Sequence, residues 1–143
     1  MDFRRQKRYG ARRRRHFSLI ELMIVLIIIS LLATLVGPTL IKKLGKAKRQ
    51  TAQAQIRLLA NACKDYYLDM DRFPERLESL IQNPSDEKWD GPYLDPARIP
   101  EDPWGNEYHY QHPGDHGEFD IYSYGADNAP GGEDENADVS SWE

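Results

Sequence analysis

Residues 22–41 contain no charged side chain, and most of them are Leu, Ile, Val or Met. A helix of that length rises about 30 Å, the thickness of a bilayer's hydrocarbon core. A removable secretory signal has a shorter apolar region, closed by small residues at a cut site. Here Gly37, Pro38 and Thr39 lead into Lys42 and Lys43, and a helical pattern then resumes. The run therefore reads as a retained anchor. Beyond it Ile56, Leu59, Cys63, Tyr66 and Met70 recur at alternating steps of three and four, with Lys, Arg and Gln on the other faces. The pattern predicts one long helix over about residues 17–69, its first half in lipid and its second half packed on a globular domain. Phe73-Pro74 ends it. Pro38 removes a helical hydrogen bond beside the permissive Gly37, which predicts a kink or a local break.

The second half of the chain changes period. A short helical segment is expected near residues 74–82. The stretches 107–110 and 118–122 alternate as strands do, joined by the Gly-rich loop 113–117. Asp102-Pro103-Trp104-Gly105-Asn106 has turn chemistry, with Pro fixing φ and Gly permitting positive φ. Its Trp104 is expected as a core anchor. The predicted class is α+β: a long helix against a small antiparallel sheet.

Charge sharpens this division. Residues 1–16 hold eight of the 19 Lys and Arg and one acid, whereas residues 17–143 hold 11 basic and 22 acidic side chains. A basic leader abutting an apolar run is the arrangement that keeps the N-terminus cytoplasmic. The acidic remainder argues against nucleic acid as a partner, because phosphate binding needs a basic face. Cys63 is the only cysteine, so no internal disulfide forms, and its apolar helical position suits a buried thiol. His109, His112 and His116 fall on a strand and a loop without a thiolate partner, so structural or solvated roles are expected rather than zinc. No nucleophile–base pair is in view, and no enzyme is expected.

Two features carry more than one meaning from the residues alone. Glu21 stands at the edge of the apolar run, where a carboxylate either snorkels to headgroups or finds a partner. Residues 125–138 form a segment dense in oxygen ligands but without the spacing of an EF-hand; composition fits a disordered acidic tail as well as a calcium loop.

The stretch Phe17-Ser18-Leu19-Ile20-Glu21-Leu22-Met23 after the basic leader resembles the processing motif of type IV pilins and of the pseudopilins of type II secretion. Counted from Phe17, Glu21 is the fifth residue and Pro38 the twenty-second, where that family has its Glu and Pro. Asp102-Pro103-Trp104-Gly105-Asn106, His116-Gly117, the run from Asp120 through Ser123-Tyr124-Gly125-Ala126-Asp127 and the acidic tail to Trp142 resemble the major pseudopilins in particular. The resemblance implies a pilin-like fold and three segments: a removed leader 1–16, a transmembrane and assembly helix 17–41 and a periplasmic domain 42–143. It implies cleavage between His16 and Phe17 by a prepilin peptidase and N-methylation of Phe17. The family has Gly before the cut, where this chain has His16. Assembly would rest on Glu21 and Pro38, with Glu21 meeting a neighbour's N-terminal amine and setting register.

The same resemblance implies calcium in the C-terminal loop. Asp127 and Asp138 would be its side-chain ligands, and Tyr124 and Ala129 would lend carbonyls. Ala137 stands where the family often has a second Asp, which leaves a ligand to Asn136, a nearby acid or water. The implied partners are further copies of the chain, minor pseudopilins, the peptidase, the inner-membrane secretion platform and membrane lipid. The implied function is a homopolymeric periplasmic filament, anchored in the inner membrane, that drives export of folded proteins across the outer membrane. Two alternatives are a type IV pilus subunit, which usually carries a C-terminal cysteine pair, and a membrane-anchored periplasmic enzyme or binding domain.

Overall fold

The computed structural model describes residues 17–143. Contacts divide the chain into Met1–Pro38 and Thr39–Glu143, and each unit has its own character. Helix α1, Leu19–Met70, supplies nearly all of the regular structure of the first and the spine of the second. It begins and ends within two residues of the expected bounds. His16 lies outside the described residues, as do the side chains of residues 35–39, so the bend expected at Gly37-Pro38 falls there.

In the second unit α1 turns one stripe inward. Ala52, Ile56, Leu59, Ala62, Cys63, Tyr66 and Met70 are all buried, the five anticipated positions among them. Their steps of three and four keep them on one face of the helix. Full burial of a Leu or Ile side chain contributes about 1.5–3 kcal/mol, so this stripe is the main apolar bond between helix and domain. Burial also pushes the Cys63 thiol up to about 12, which leaves it an inert apolar group.

Strands β1 (His109–Gln111), β2 (Asp120–Ser123) and β3 (Val139–Ser140) form one antiparallel sheet in the order β1-β2-β3. Register pairs Tyr110 with Ile121 and Ser123 with Val139. Ile121 and Val139 face the helix stripe and are buried. The alternation places β1 and β2 to within two residues, but β3 is not foreshadowed by it: two residues after an acidic loop carry too short an alternation to be seen. The helical segment expected over residues 74–82 is a single 3-10 turn, Leu77–Leu80, with Leu77 and Leu80 buried. Trp104 is partly buried against the core, as its turn position suggested.

Candidate functional site

The described part of the first unit presents an apolar surface to its surroundings. From Phe17 to Leu32 the large apolar side chains are 45–80% exposed on all sides of α1. Two hydroxyls of this part of the helix return to its backbone: Ser30 Oγ donates to the Leu26 carbonyl at 2.7 Å, and Thr34 Oγ1, just beyond, to the Ser30 carbonyl at 2.9 Å. Hydroxyls bonded to the i−4 carbonyl need no water, so they suit an apolar surrounding. Glu21 is the one acidic or basic residue of this exposed stretch and stands in the helix's first turn. Among the described residues no helix is long and apolar enough to cross a membrane.

In the second unit the two motifs of the C-terminal half meet. Asp102 is buried, and its Oδ1 accepts the backbone N–H groups of Trp104 (3.0 Å) and Asn106 (2.8 Å), fixing the turn around Gly105, whose φ is +91°. Its Oδ2 accepts the Ser123 hydroxyl at 2.6 Å, and Ser123 Oγ in turn accepts the Gly125 N–H at 3.1 Å. Asn106 Nδ2 closes the circuit on the Gly125 carbonyl at 3.2 Å. A buried carboxylate is tolerated when its oxygens are satisfied in this way. The network positions the start of the acidic loop, and the sequence does not announce it. Its turn chemistry is visible there, but that Asp102 would reach Ser123, 21 residues away, is not.

The loop itself is folded back on its own backbone. Gly125 (φ +73°) lies so close to residues 135–137 that a Cβ there would sit 2.7 Å from the Glu135 carbonyl. Gly132 (φ +90°) has the same relation to the Asn136 carbonyl, at 2.6 Å. Asp127 Oδ1 accepts the Ala129 N–H at 3.2 Å, and both oxygens of Asp138 accept the Gly131 N–H at 3.0 Å. Arg49 of α1 donates to the carbonyls of Asp134 (3.4 Å) and Asp138 (3.5 Å), and Gln53 donates to that of Ser140 (3.2 Å). Gly45 is buried under Glu135: a Cβ would stand 2.7 Å from the Glu135 Cγ.

Of the residues expected at calcium, Asp127, Ala129, Asn136 and Asp138 all lie in this fold-back, and Tyr124 precedes its first 3-10 turn, Gly125–Asp127. All five would offer oxygen, the hard donor that calcium takes. Among the described residues no three Asp, Glu, His or Cys side chains are grouped as a metal site. A cation held here would therefore draw most of its shell from carbonyls, the Asn136 amide and water. The donor chemistry fits.

The three histidines occupy three separate settings. His109 stacks on Tyr122 and meets Tyr124 at a tilt, and His112 Nδ1 lies 2.8 Å from the Glu118 carbonyl. His116 stacks flat on Trp142, centroids 4.0 Å apart, while its Nδ1 meets Asp120 Oδ2 at 2.9 Å. That oxygen also accepts the N–H groups of Asp115 (2.9 Å) and His116 (3.1 Å). Burial raises the Asp120 carboxyl, but these donors together hold it below the usual carboxylate range. Asp120 begins strand β2, where alternation suggests a solvated acid, so nothing in the sequence marks this clasp.

Two family models match the chain: the prokaryotic N-terminal methylation motif over residues 12–37 and the type II secretion system (T2SS), protein G, over residues 39–142. The type II secretion system core protein G of Pseudomonas aeruginosa is 41% identical over 136 residues, covering 89% of this chain and 94% of its own length. That of Vibrio cholerae is 38% identical, covering 92% and 93%. The crystal structure of the major pseudopilin from the type 2 secretion system of enterohaemorrhagic Escherichia coli superposes with a TM-score of 0.59 at 32% identity, over 73% of this chain and 95% of that one. With the pilin-like arrangement of α1 and its sheet, these likenesses show that the chain belongs to the protein G family of type II secretion, as a structural subunit of the pseudopilus.

Proposed function

We propose that this chain is cut between His16 and Phe17 by a prepilin peptidase, N-methylated at Phe17, and polymerised through α1 into a periplasmic filament that drives export of folded proteins across the outer membrane. The observation that carries the reading is the apolar surface of α1 from Phe17 to Leu32, exposed on every side, with the Ser30 and Thr34 hydroxyls returned to the backbone. Such a surface is equally at home among lipid tails and among copies of itself, so a subunit can leave one for the other without refolding. The role is mechanical, and no chemical step is assigned to any side chain. The basic leader holds the N-terminus on the cytoplasmic side of the inner membrane, with residues 42–143 in the periplasm.

Within the filament Glu21 is paired with the N-terminal ammonium of a neighbouring copy. An unpaired carboxylate in an apolar core is expensive, so the pair specifies register more than it adds stability. Pro38 lets the helix bend as copies pack. Minor pseudopilins and the inner-membrane platform are the further partners. Asp127 and Asp138, with the carbonyls of Tyr124 and Ala129 and the Asn136 amide, are assigned to calcium. When bound it would supply positive charge between the acids of the loop. The loop's own contribution is to bring those oxygens together by the turns at Gly125, Asn128 and Gly132.

Mass spectrometry of the subunit from membranes, with electron microscopy of sheared filaments, tests the reading. A chain beginning at methylated Phe17 within filaments is expected. Only full-length chain and no filaments, in cells with an active peptidase, would overturn it.

A further inference from the structure

The domain's own half of α1 carries a second, outward stripe that the fold does not use. Ala47, Thr51, Ala54 and Leu58 are exposed and follow one another at steps of four, three and four, on a face turned about a third of a turn from the buried one. Leu44 is 62% exposed, Leu58 48% and Leu68 76%. Between Ala47 and Leu58 the side chains shrink, leaving a shallow groove floored by Thr51 and Ala54. Leu68 projects about a quarter turn round the helix from Leu58 and nearer its other end, about 15 residues from the middle of the groove and so about 20 Å along the axis. This half of the helix thus carries a hole toward one end and a knob toward the other.

Charge divides the helix in the same place. Residues 39–64 hold seven Lys and Arg and no acid, whereas residues 65–143 hold 21 acids and four bases. Exposed Lys43, Lys46 and Arg57 border the groove. Exposed Asp65 and Asp69 stand on either side of Leu68 in sequence, next to Lys64, and Asp69 accepts the Tyr93 hydroxyl at 2.8 Å. The two ends are complementary in shape and in sign, and a single copy cannot bring them together.

We propose that the groove of one copy receives Leu68 of another, with Arg57 facing Asp65, as a lateral contact between domains in the assembled filament. This deepens the assembly reading above and rests on it. The contact joins two different patches, so it is heterologous, and repeated it builds an open helical array rather than a closed dimer. Opposite charges at its border select the staggered pairing, because groove against groove would set like charges against each other.

The test uses the full-length chain assembled in membranes. Ala54→Cys with Leu68→Cys should give an oxidised ladder of multimers, and neither single variant should. Buried Cys63 stays silent in both. Arg57→Asp and Asp65→Arg should each lower filament yield by roughly tenfold, and the double variant should recover most of it, since the swap restores opposite charges. Neutral single reversals together with an absent ladder would overturn the contact. So would reversals at Arg57 that weaken binding to anionic vesicles and leave filaments intact, because the basic stripe would then serve lipid. Failure of the unaltered chain to form filaments is a separate result, and it would overturn the assembly reading itself.

Discussion

The same kinds of side chain meet opposite fates at the two ends of α1. Leu59 and Ile56 are completely buried under a sheet and two turns, whereas Leu26 and Ile27, chemically indistinguishable from them, are 56% and 57% exposed. The difference lies in what the rest of the chain provides. Residues 71–143 fold over one stripe of the helix, and that stripe is amphipathic because its other faces remain wet. Around residues 17–34 the apolar character is uniform, as a helix surrounded by lipid or by other helices requires. Uniform hydrophobicity says that a helix must be covered; only its periodicity says whether its own chain does the covering.

Substitution at the two ends should therefore separate stability from assembly. The largest effect is expected at the uniform end. Glu21→Ala leaves the apolar run intact, so the variant should still fractionate with membranes, while a neighbour's ammonium is left unpaired. Breaking a buried pair costs about 3–5 kcal/mol, enough to lower filament yield by about a hundredfold or more. Normal filaments from this variant would return Glu21 to a headgroup-facing role. At the amphipathic end, Leu59→Ala should destabilise the domain 42–143 by about 2–5 kcal/mol in chemical denaturation, through lost burial and a cavity. Leu26→Ala in the full-length chain should leave the domain's unfolding midpoint unchanged. Equal loss of domain stability in both would erase the distinction.

How far the sequence reveals the molecule follows the same division. Helical periodicity is a local property, so α1 and the inward positions Ile56, Leu59, Cys63, Tyr66 and Met70 are legible in the order of residues alone. Strands β1 and β2 are legible because they alternate across a short loop. What stays hidden depends on contacts between distant segments. Asp102 meets Ser123 and Arg49 meets the Asp138 carbonyl across 89 residues, and no periodicity records either. Gly45 gives no sign in the sequence that it admits Glu135. Strand β3 exists because β2 offers it an edge, and its two residues cannot announce it alone.

A third, smaller effect concerns the two acidic settings within the domain. In the C-terminal loop, Asp127 is exposed and Asp138 half-buried, and each shares its oxygens with one backbone N–H. A ligand bound only to the folded state adds stability by mass action, about 2.7 kcal/mol at a hundredfold excess over its dissociation constant. The domain should melt higher in calcium than in chelator, and magnesium should substitute poorly because it demands tighter octahedral geometry. Asp127→Ala should abolish most of that shift and Asn136→Ala less. Identical melting in calcium and chelator would leave the loop held by its own hydrogen bonds and by Arg49.

The smallest effect belongs to the other setting, where donors of the chain itself meet Asp120. Its Oδ2 is already met by two backbone N–H groups and by His116, and these donors hold its carboxyl below the ordinary value of 3.8 despite burial. A carboxyl depressed in the folded state binds fewer protons there than in the unfolded chain, so it stabilises the fold above its ordinary range. That stability is lost as pH falls below about 4 toward the lower folded value. Replacing His116 by Phe keeps a ring over Trp142 and removes the donor to Oδ2. His116→Phe should therefore melt lower than the parent at neutral pH, and the gap should narrow as both are acidified through that window. The comparison is made in chelator, so that a cation at the C-terminal loop contributes to neither. A gap that stays constant from about pH 7 down to about pH 2 would mean that the ring's packing on Trp142, and not the Asp120 carboxylate, is what His116 provides.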